Sequence, residues 1–156
     1  MSTPAPLPPS PLPPVPRTAD AFSFWSTDKI RFGDVDAVGH ANSLAIGGIF
    51  EASRVELLRD IGISQTDATV KCSLAKLTFE YLDELNMFES VRVGESVARI
   101  GNSSFILHSA LFVRREDTEL CVATCEAVCV LIDTASRRPT AIPALPRTKL
   151  GSYARR

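Results

Sequence analysis

Asp34, Asp36, His40 and Asn42 crowd into one short run, Asp34-Val35-Asp36-Ala37-Val38-Gly39-His40-Ala41-Asn42. A carboxylate can act as base or nucleophile, and an imidazole can hold or pass a proton. An asparagine amide can cap a helix. The same two acids and the histidine could also present three ligands to a metal. The run lies between an apolar stretch, Ile30 to Phe32, and a helical pattern that opens at Ser43. At a strand-to-loop-to-helix junction, backbone N–H groups point outward and polar side chains can gather around a ligand.

The elements that must hold this loop are legible from spacing. Phe22 to Phe32 reads as a first strand. From Ser43 to Ile61, Ile46, Ile49, Phe50, Ser53, Leu57, Leu58 and Ile61 recur at helical spacing. Glu51, Arg54, Glu56 and Arg59 fall off that stripe. Asn42 is placed to cap this helix and Gly62 to end it. Four strands follow, at Ser73 to Leu82, Ser90 to Gly101, Ser104 to Arg115 and Leu120 to Asp133. Gly101-Asn102 and Arg115-Glu116-Asp117 read as hairpin turns. One long helix followed by an antiparallel meander makes an α+β domain. In the last strand, Cys121, Ala123, Cys125, Ala127 and Cys129 form one face of small side chains. Such a face lets the helix approach closely, so the sheet should wrap around it.

The remainder of the chain narrows the function classes. It has 156 residues, enough for one domain, with 45% hydrophobic and 22% charged residues. A formal net charge of −1 makes no electrostatic case for nucleic acid or an anionic membrane. Apolar runs are too short to cross a bilayer. Eight of the 11 prolines fall between Pro4 and Pro16, so residues 1–21 read as a proline-rich disordered arm without a secretory signal. The folded domain is expected over 22–147, and a basic tail over 148–156. Cys121, Cys125 and Cys129 repeat every four residues, which on a strand puts neighbours about 13 Å apart. That is too far for a disulfide or a shared metal ion, although a helix would bring them together. Thiols of a cytoplasmic core are the expectation.

Three stretches, in this order, resemble a known family. Ile30-Arg31-Phe32-Gly33-Asp34-Val35-Asp36 runs into Gly39-His40-Ala41-Asn42. Phe50-Glu51-Ala52-Ser53-Arg54-Val55-Glu56-Leu57-Leu58 follows, and then Arg92-Val93-Gly94-Glu95 with Asn102-Ser103-Ser104-Phe105. From Ile30 to Pro143 the chain resembles the hotdog-fold thioesterases, more narrowly the 4-hydroxybenzoyl-CoA and short acyl-CoA thioesterase group. The resemblance implies a hotdog fold, one long central helix wrapped by a curved antiparallel sheet. It implies a homodimer or homotetramer acting on a small acyl-CoA, with coenzyme A as part of the substrate and no separate cofactor or metal. By the same resemblance Asp36 is the nucleophile or general base, and the oxyanion site is a backbone N–H at or near Ser43. His40 and Asn42 join the catalytic set, His40 to polarise the carbonyl or position water. Asn102, Ser103 and Ser104 match a region that lines the coenzyme A groove. Gly39, Ile46 and Gly47 are expected against the substrate.

Alternatives on the same fold are an acyl-carrier-protein thioesterase and a non-catalytic acyl-CoA-binding protein. The first needs a basic docking patch, for which Arg114, Arg115, Arg137 and Arg138 are available. Asp34 is expected to orient the loop or cap a backbone N–H, Glu51 and Arg54 to pair on the helix surface, and His108 to be structural or at a subunit contact. The chain also departs from the family. Relatives carry an aromatic residue at the position of Ile46 and bulkier residues at those of Gly47 and Gly48. Missing side chains there would enlarge the acyl pocket.

Overall fold

The structure, a computed structural model, describes residues 12–63 and 69–154. Five strands form one antiparallel sheet: β1 (Phe24–Lys29), β2 (Val70–Tyr81), β3 (Ser90–Ile100), β4 (Ser104–Arg115) and β5 (Thr118–Asp133), in the order β1-β3-β4-β5-β2. Helix α1 (Ser43–Asp60) lies on one face, and a short helix, α2 (Ala144–Ser152), follows β5. The α+β hotdog arrangement expected from the sequence is the one observed.

Helix α1 begins and ends where its caps dictate. Asn42 Oδ1 accepts a hydrogen bond from the Ala45 N–H at 2.8 Å, and Asn42 has extended backbone angles. Gly62 has a φ of +87°, the left-handed region that glycine enters without a Cβ clash. Ile46, Ile49, Phe50, Leu57 and Leu58 are buried against the sheet. Ala123, Cys125, Ala127 and Cys129 lie in the same core. Small side chains under the helix are thus part of the packing.

Cys121 does not share that face. Leu111 pairs with Ala123 but Phe112 pairs with Cys121, so Val122 is an extra residue in β5. The bulge turns Cys121 to the outer surface, beside Phe22, Ala110 and Phe112. The first strand is also shorter than its apolar pattern. Asp34 Oδ2 accepts from the Arg31 N–H at 2.7 Å and closes a 3₁₀ turn over Phe32–Asp34.

Both expected tails meet structure. Residues 1–11 and 155–156 lie outside the described residues. Within the arm, Val15 and Ala19 pack on the outer cluster, and Arg17 reaches Glu80 at 3.4 Å. The boundary after residue 147 falls inside α2, whose Leu150 is fully buried. Tyr153 binds the Asp60 carboxylate through its hydroxyl at 2.8 Å and accepts from the Val97 N–H at 2.8 Å. These contacts tie the end of α1 to β3.

One polar group sits deep in the core. Glu95 on β3 is 0% exposed and lies opposite Ser109 of β4, which lies opposite Cys125 of β5. Ser53 and Arg54 of α1 are buried as well, so Arg54 does not ride the helix surface. Arg54 still pairs with Glu51. No donor among the described residues makes a well-formed hydrogen bond to either Glu95 oxygen. Burial lifts the Glu95 carboxyl from its ordinary 4.5 to about 7, against smaller opposing effects of Ser53, Arg54 and Ser109. The folded chain therefore holds this proton more tightly than the unfolded chain. The resulting stabilisation is complete below about pH 4.5 and is lost as pH rises through about 7. The loss should be on the order of 3 kcal/mol. Urea unfolding between pH 4.5 and 8 should show this decline, and Glu95→Gln should flatten it. An equally steep decline in the variant would contradict the assignment.

Candidate active site

The motif loop folds into a tight hairpin. Val35 and Ala41 form an antiparallel bridge, and the Asp36 N–H donates to the His40 carbonyl at 3.1 Å. The Gly39 N–H donates back to the Asp36 carbonyl at 3.0 Å. Gly39 has a φ of +96°, so a side chain at this turn would be strained. The hairpin is then tied down on both sides. The Asn42 N–H donates to the Asp34 carbonyl at 2.8 Å, and the Ala41 N–H to the Leu85 carbonyl at 2.8 Å. The loop thus sits at the same end of the sheet as the N-terminus of α1.

Asp36 is exposed at the hairpin tip. Its Oδ1 accepts from the Val38 N–H at 2.8 Å, which fixes the carboxylate, while Oδ2 has no hydrogen-bond partner among the described residues. Asp34, by contrast, spends its carboxylate on the Arg31 N–H. His40 Nε2 lies 3.0 Å from Glu84 Oε2 in the β2–β3 loop. The three potential metal ligands of the motif therefore have three separate partners. Asn42 caps the helix through its side chain. The Ser43 and Leu44 N–H groups have no acceptor among the described residues. They carry the partial positive charge of the helix end.

Tyr81, Glu84 and Leu85, none of them anticipated, build the other wall. The Tyr81 hydroxyl approaches the Ser43 carbonyl at 3.4 Å. Arg115 holds the loop that carries Glu84 and Leu85, reaching Glu89 at 2.8 Å, Asp83 at 2.9 Å and the Glu84 carbonyl. Hydrogen bonds from Arg115 hold the Glu89 carboxyl below its usual range. Arg115 is thus committed to its own chain rather than to a docking patch. The sequence signal for this wall is the acid-rich stretch Asp83-Glu84 to Glu89, which needs a cation that only the fold supplies.

Around the hairpin, apolar side chains face solvent: Phe32 is 79% exposed, Val38 78%, Leu44 86% and Phe88 60%. Such a concentration beside a polar site marks a binding surface. Ile46 is buried in the core instead of lining this surface. A Cβ on Gly47 would stand 3.8 Å from the Phe79 ring, and one on Gly48 would meet nothing within 4 Å.

Asn102, Ser103 and Ser104 are not brought to Asp36. They form the β3–β4 turn, where the Asn102 carbonyl accepts from Ile142 and the Ser103 carbonyl from Leu131. The motif loop instead joins the opposite end of β3, through Ile30 N–H to Glu89 at 2.9 Å. Strand β3 has 11 residues, so its ends are roughly 35 Å apart at about 3.3 Å per residue.

Residues 30–149 match the model of the thioesterase-like superfamily. The uncharacterized protein YsmA of Bacillus subtilis (strain 168) is 25% identical over 88 residues, 56% of this chain, and the match spans 60% of the length of that relative. The crystal structure of the PA5185 protein from Pseudomonas aeruginosa strain PAO1 superposes with a TM-score of 0.83 at 25% identity, over 90% of this chain and 98% of that one. The SAV2348 protein of Staphylococcus aureus, solved in complex with CoA, superposes with a TM-score of 0.77 at 20% identity, over 83% and 82% of the two chains.

The cap makes a prediction independent of activity. Asn42→Ala should lower unfolding stability by about 1 kcal/mol, read from urea denaturation. An unchanged midpoint would show that the Asn42 side chain does not support α1. With the model match covering most of the folded chain and the hotdog arrangement around it, this protein belongs to the thioesterase-like superfamily.

Proposed function

We propose that the chain is an acyl-CoA thioesterase, releasing a free acid and coenzyme A. The observation that carries this reading is a fixed carboxylate with one open oxygen, Asp36 Oδ2, at the same sheet end as the unpartnered N–H groups that start α1. Thioester hydrolysis adds an oxygen to the acyl carbon and expels the thiolate of coenzyme A. Developing negative charge on the carbonyl oxygen needs N–H donors and a positive helix end, and Ser43 is placed to give both. Asp36 either takes a proton from water or attacks the carbon itself and is then freed by water. In either route a proton returns to the departing sulfur, so the products balance as acid plus thiol. His40, aligned by Glu84, faces the same end and can orient the carbonyl or the water. The CoA-bound Staphylococcus aureus structure supports coenzyme A as the carrier. Within the superfamily, we place the chain in the 4-hydroxybenzoyl-CoA and short acyl-CoA group, in the cytoplasm.

A second copy completes the site. Strand β2 is 12 residues long and ends the sheet, so one of its edges is unpaired among the described residues. Two β2 edges joined antiparallel by a two-fold axis would reverse the partner. The partner's β3–β4 turn would then stand at the Asp36 end, bringing Asn102, Ser103 and Ser104 toward the same substrate. In that dimer the exposed Leu44 would lie toward the junction, because the start of α1 stands beside Tyr81 at the end of β2.

Release of free thiol from a panel of acyl-CoAs tests this reading. The native chain should turn over at least one member, and Asp36→Asn should lower kcat by at least about 100-fold while secondary structure and oligomer size stay unchanged. Near-native turnover by that variant would overturn the role of Asp36. Gly47→Leu should shift preference toward shorter acyl groups, because the added side chain grows toward Phe79. The same chain-length profile in a folded variant would remove Gly47 from the acyl pocket.

A further inference from the structure

The face of the sheet turned away from α1 carries a groove that the proposed chemistry does not use. Trp25 pairs with Gly94, Gly94 with Ala110, Ala110 with Thr124, and Thr124 with Glu80, so one row crosses all five strands. Paired residues share a face, and the floor of this row is small: Gly94, Ala110 and Thr124. Trp25 closes one end, with the Arg92 guanidinium 3.9 Å from its ring centroid and Glu119 bracing Arg92 at 2.6 and 2.7 Å. Glu80 closes the other end and accepts from the Thr124 hydroxyl at 3.0 Å. Phe112 and Cys121 form one bank, and His108 and Glu126, 3.3 Å apart, form the other.

The proline-rich arm ends in this groove. The Ser23 N–H donates to the Glu95 carbonyl at 3.1 Å, and just before it a 3₁₀ turn at Ala19–Ala21 carries the chain onto the outer face. Phe22 lies directly on Gly94. A Cβ at Gly94 would stand 2.7 Å from the Phe22 ring and 2.9 Å from the Trp25 ring, so the seat needs glycine at its floor. Phe22 meets Trp25 and Phe112 edge-on, at centroid distances of 6.1 and 5.8 Å. Val15, Ala19 and Ala21 pack on the same cluster, and Arg17 reaches Glu80. Ala110 is 0% and Thr124 1% exposed, although both point away from α1.

An antiparallel sheet with one face on a helix either turns polar side chains outward on the other or needs a second layer there. Glycine, alanine and aromatic rings at these outward positions call for a layer. Without the arm, the face would present a Trp25–Phe112 ridge beside a floor of small residues. Two such faces related by a two-fold axis fit ridge into floor, at the ~10 Å spacing of stacked sheets. The partner that has this matching shape is a second copy of the chain.

We propose that residues 15–22 are an intramolecular cover, seated where the outer face of a second copy would otherwise stack, and that the seated arm sets the upper limit of assembly. This face is separate from the β2 edge, so the proposal stands or falls independently of edge pairing.

Two full-length variants test it. Gly94→Ala puts a methyl group into Phe22 and displaces the arm. Phe22→Ser removes the anchor and leaves the sheet unaltered, so it serves if Gly94→Ala fails to fold. Arg17 is the first tryptic site of the chain, so release of the peptide 1–17 reports whether the arm is seated. Release should be at least about tenfold faster in the variants than in the native chain. Light scattering of the undigested variants should give about twice the native assembly mass. Equal release rates in native and variant chains would show that the arm is not seated. Faster release with the native mass, or with aggregates of no defined mass, would show that this face does not take a second copy. Either result would overturn the proposal.

Discussion

How closely α1 can approach the sheet decides most of this structure. The helix must bury one stripe, and the strand beneath offers Ala123, Cys125, Ala127 and Cys129 where larger side chains would hold it away. Close packing fixes the height and direction of α1, and so fixes where its N-terminus emerges. The motif hairpin is pinned to that emergence through Asp34, Asn42 and the Leu85 carbonyl. Asp36 is therefore placed by core packing as much as by its own loop. The same close fit explains why the buried polar row of Ser53, Arg54, Glu95 and Ser109 matters, since it lies inside the contact that sets the geometry.

A site at the N-terminus of a helix has a consistent electrostatic logic. The first N–H groups lack acceptors, and their dipoles favour negative charge that appears only during reaction. Asp36 beside them needs anchoring, which the Val38 N–H provides through one oxygen while leaving the other open. Loop residues around the site have carboxylates that are already engaged. Asp34 closes a turn, Glu84 meets His40, and Asp83 and Glu89 hold Arg115. Asp36 stands out by what is left unused.

The legible part of the chain was the part with local signatures. Asn42 and Gly62 bound α1 because capping is read over three or four residues, and the turn at Glu116 follows from its neighbours. Other features depend on contacts distant in sequence. Cys121 changes face because of one extra residue, Val122, and a bulge leaves no compositional mark. Helix α2 was hidden by Pro143 and Pro146. Yet Pro143 caps it and Pro146 sits in its first turn, where a missing N–H costs nothing. Arg54 looked like a surface charge, but the guanidinium lies in the core near Glu95. The Glu84 partner of His40 comes from the β2–β3 loop, and the wall formed by Tyr81 from the end of β2. For the site, the motif indicated which residues to weigh, while the separation of Asp36 from Asn102–Ser104 required the sheet.

That separation makes the two-chain site the central claim. Mixed dimers test it directly. One chain would carry Asp36→Asn and the other Ser103→Trp, a substitution placed in the β3–β4 turn. Each homodimer should be inactive toward the acyl-CoA that the native protein turns over fastest. Dissociated and reassociated together, they should recover thiol release, because one of the two sites then receives an intact Asp36 from one chain and an intact turn from the other. A mixture as inactive as its parents, with mixed dimers demonstrated by mass, would contradict the account.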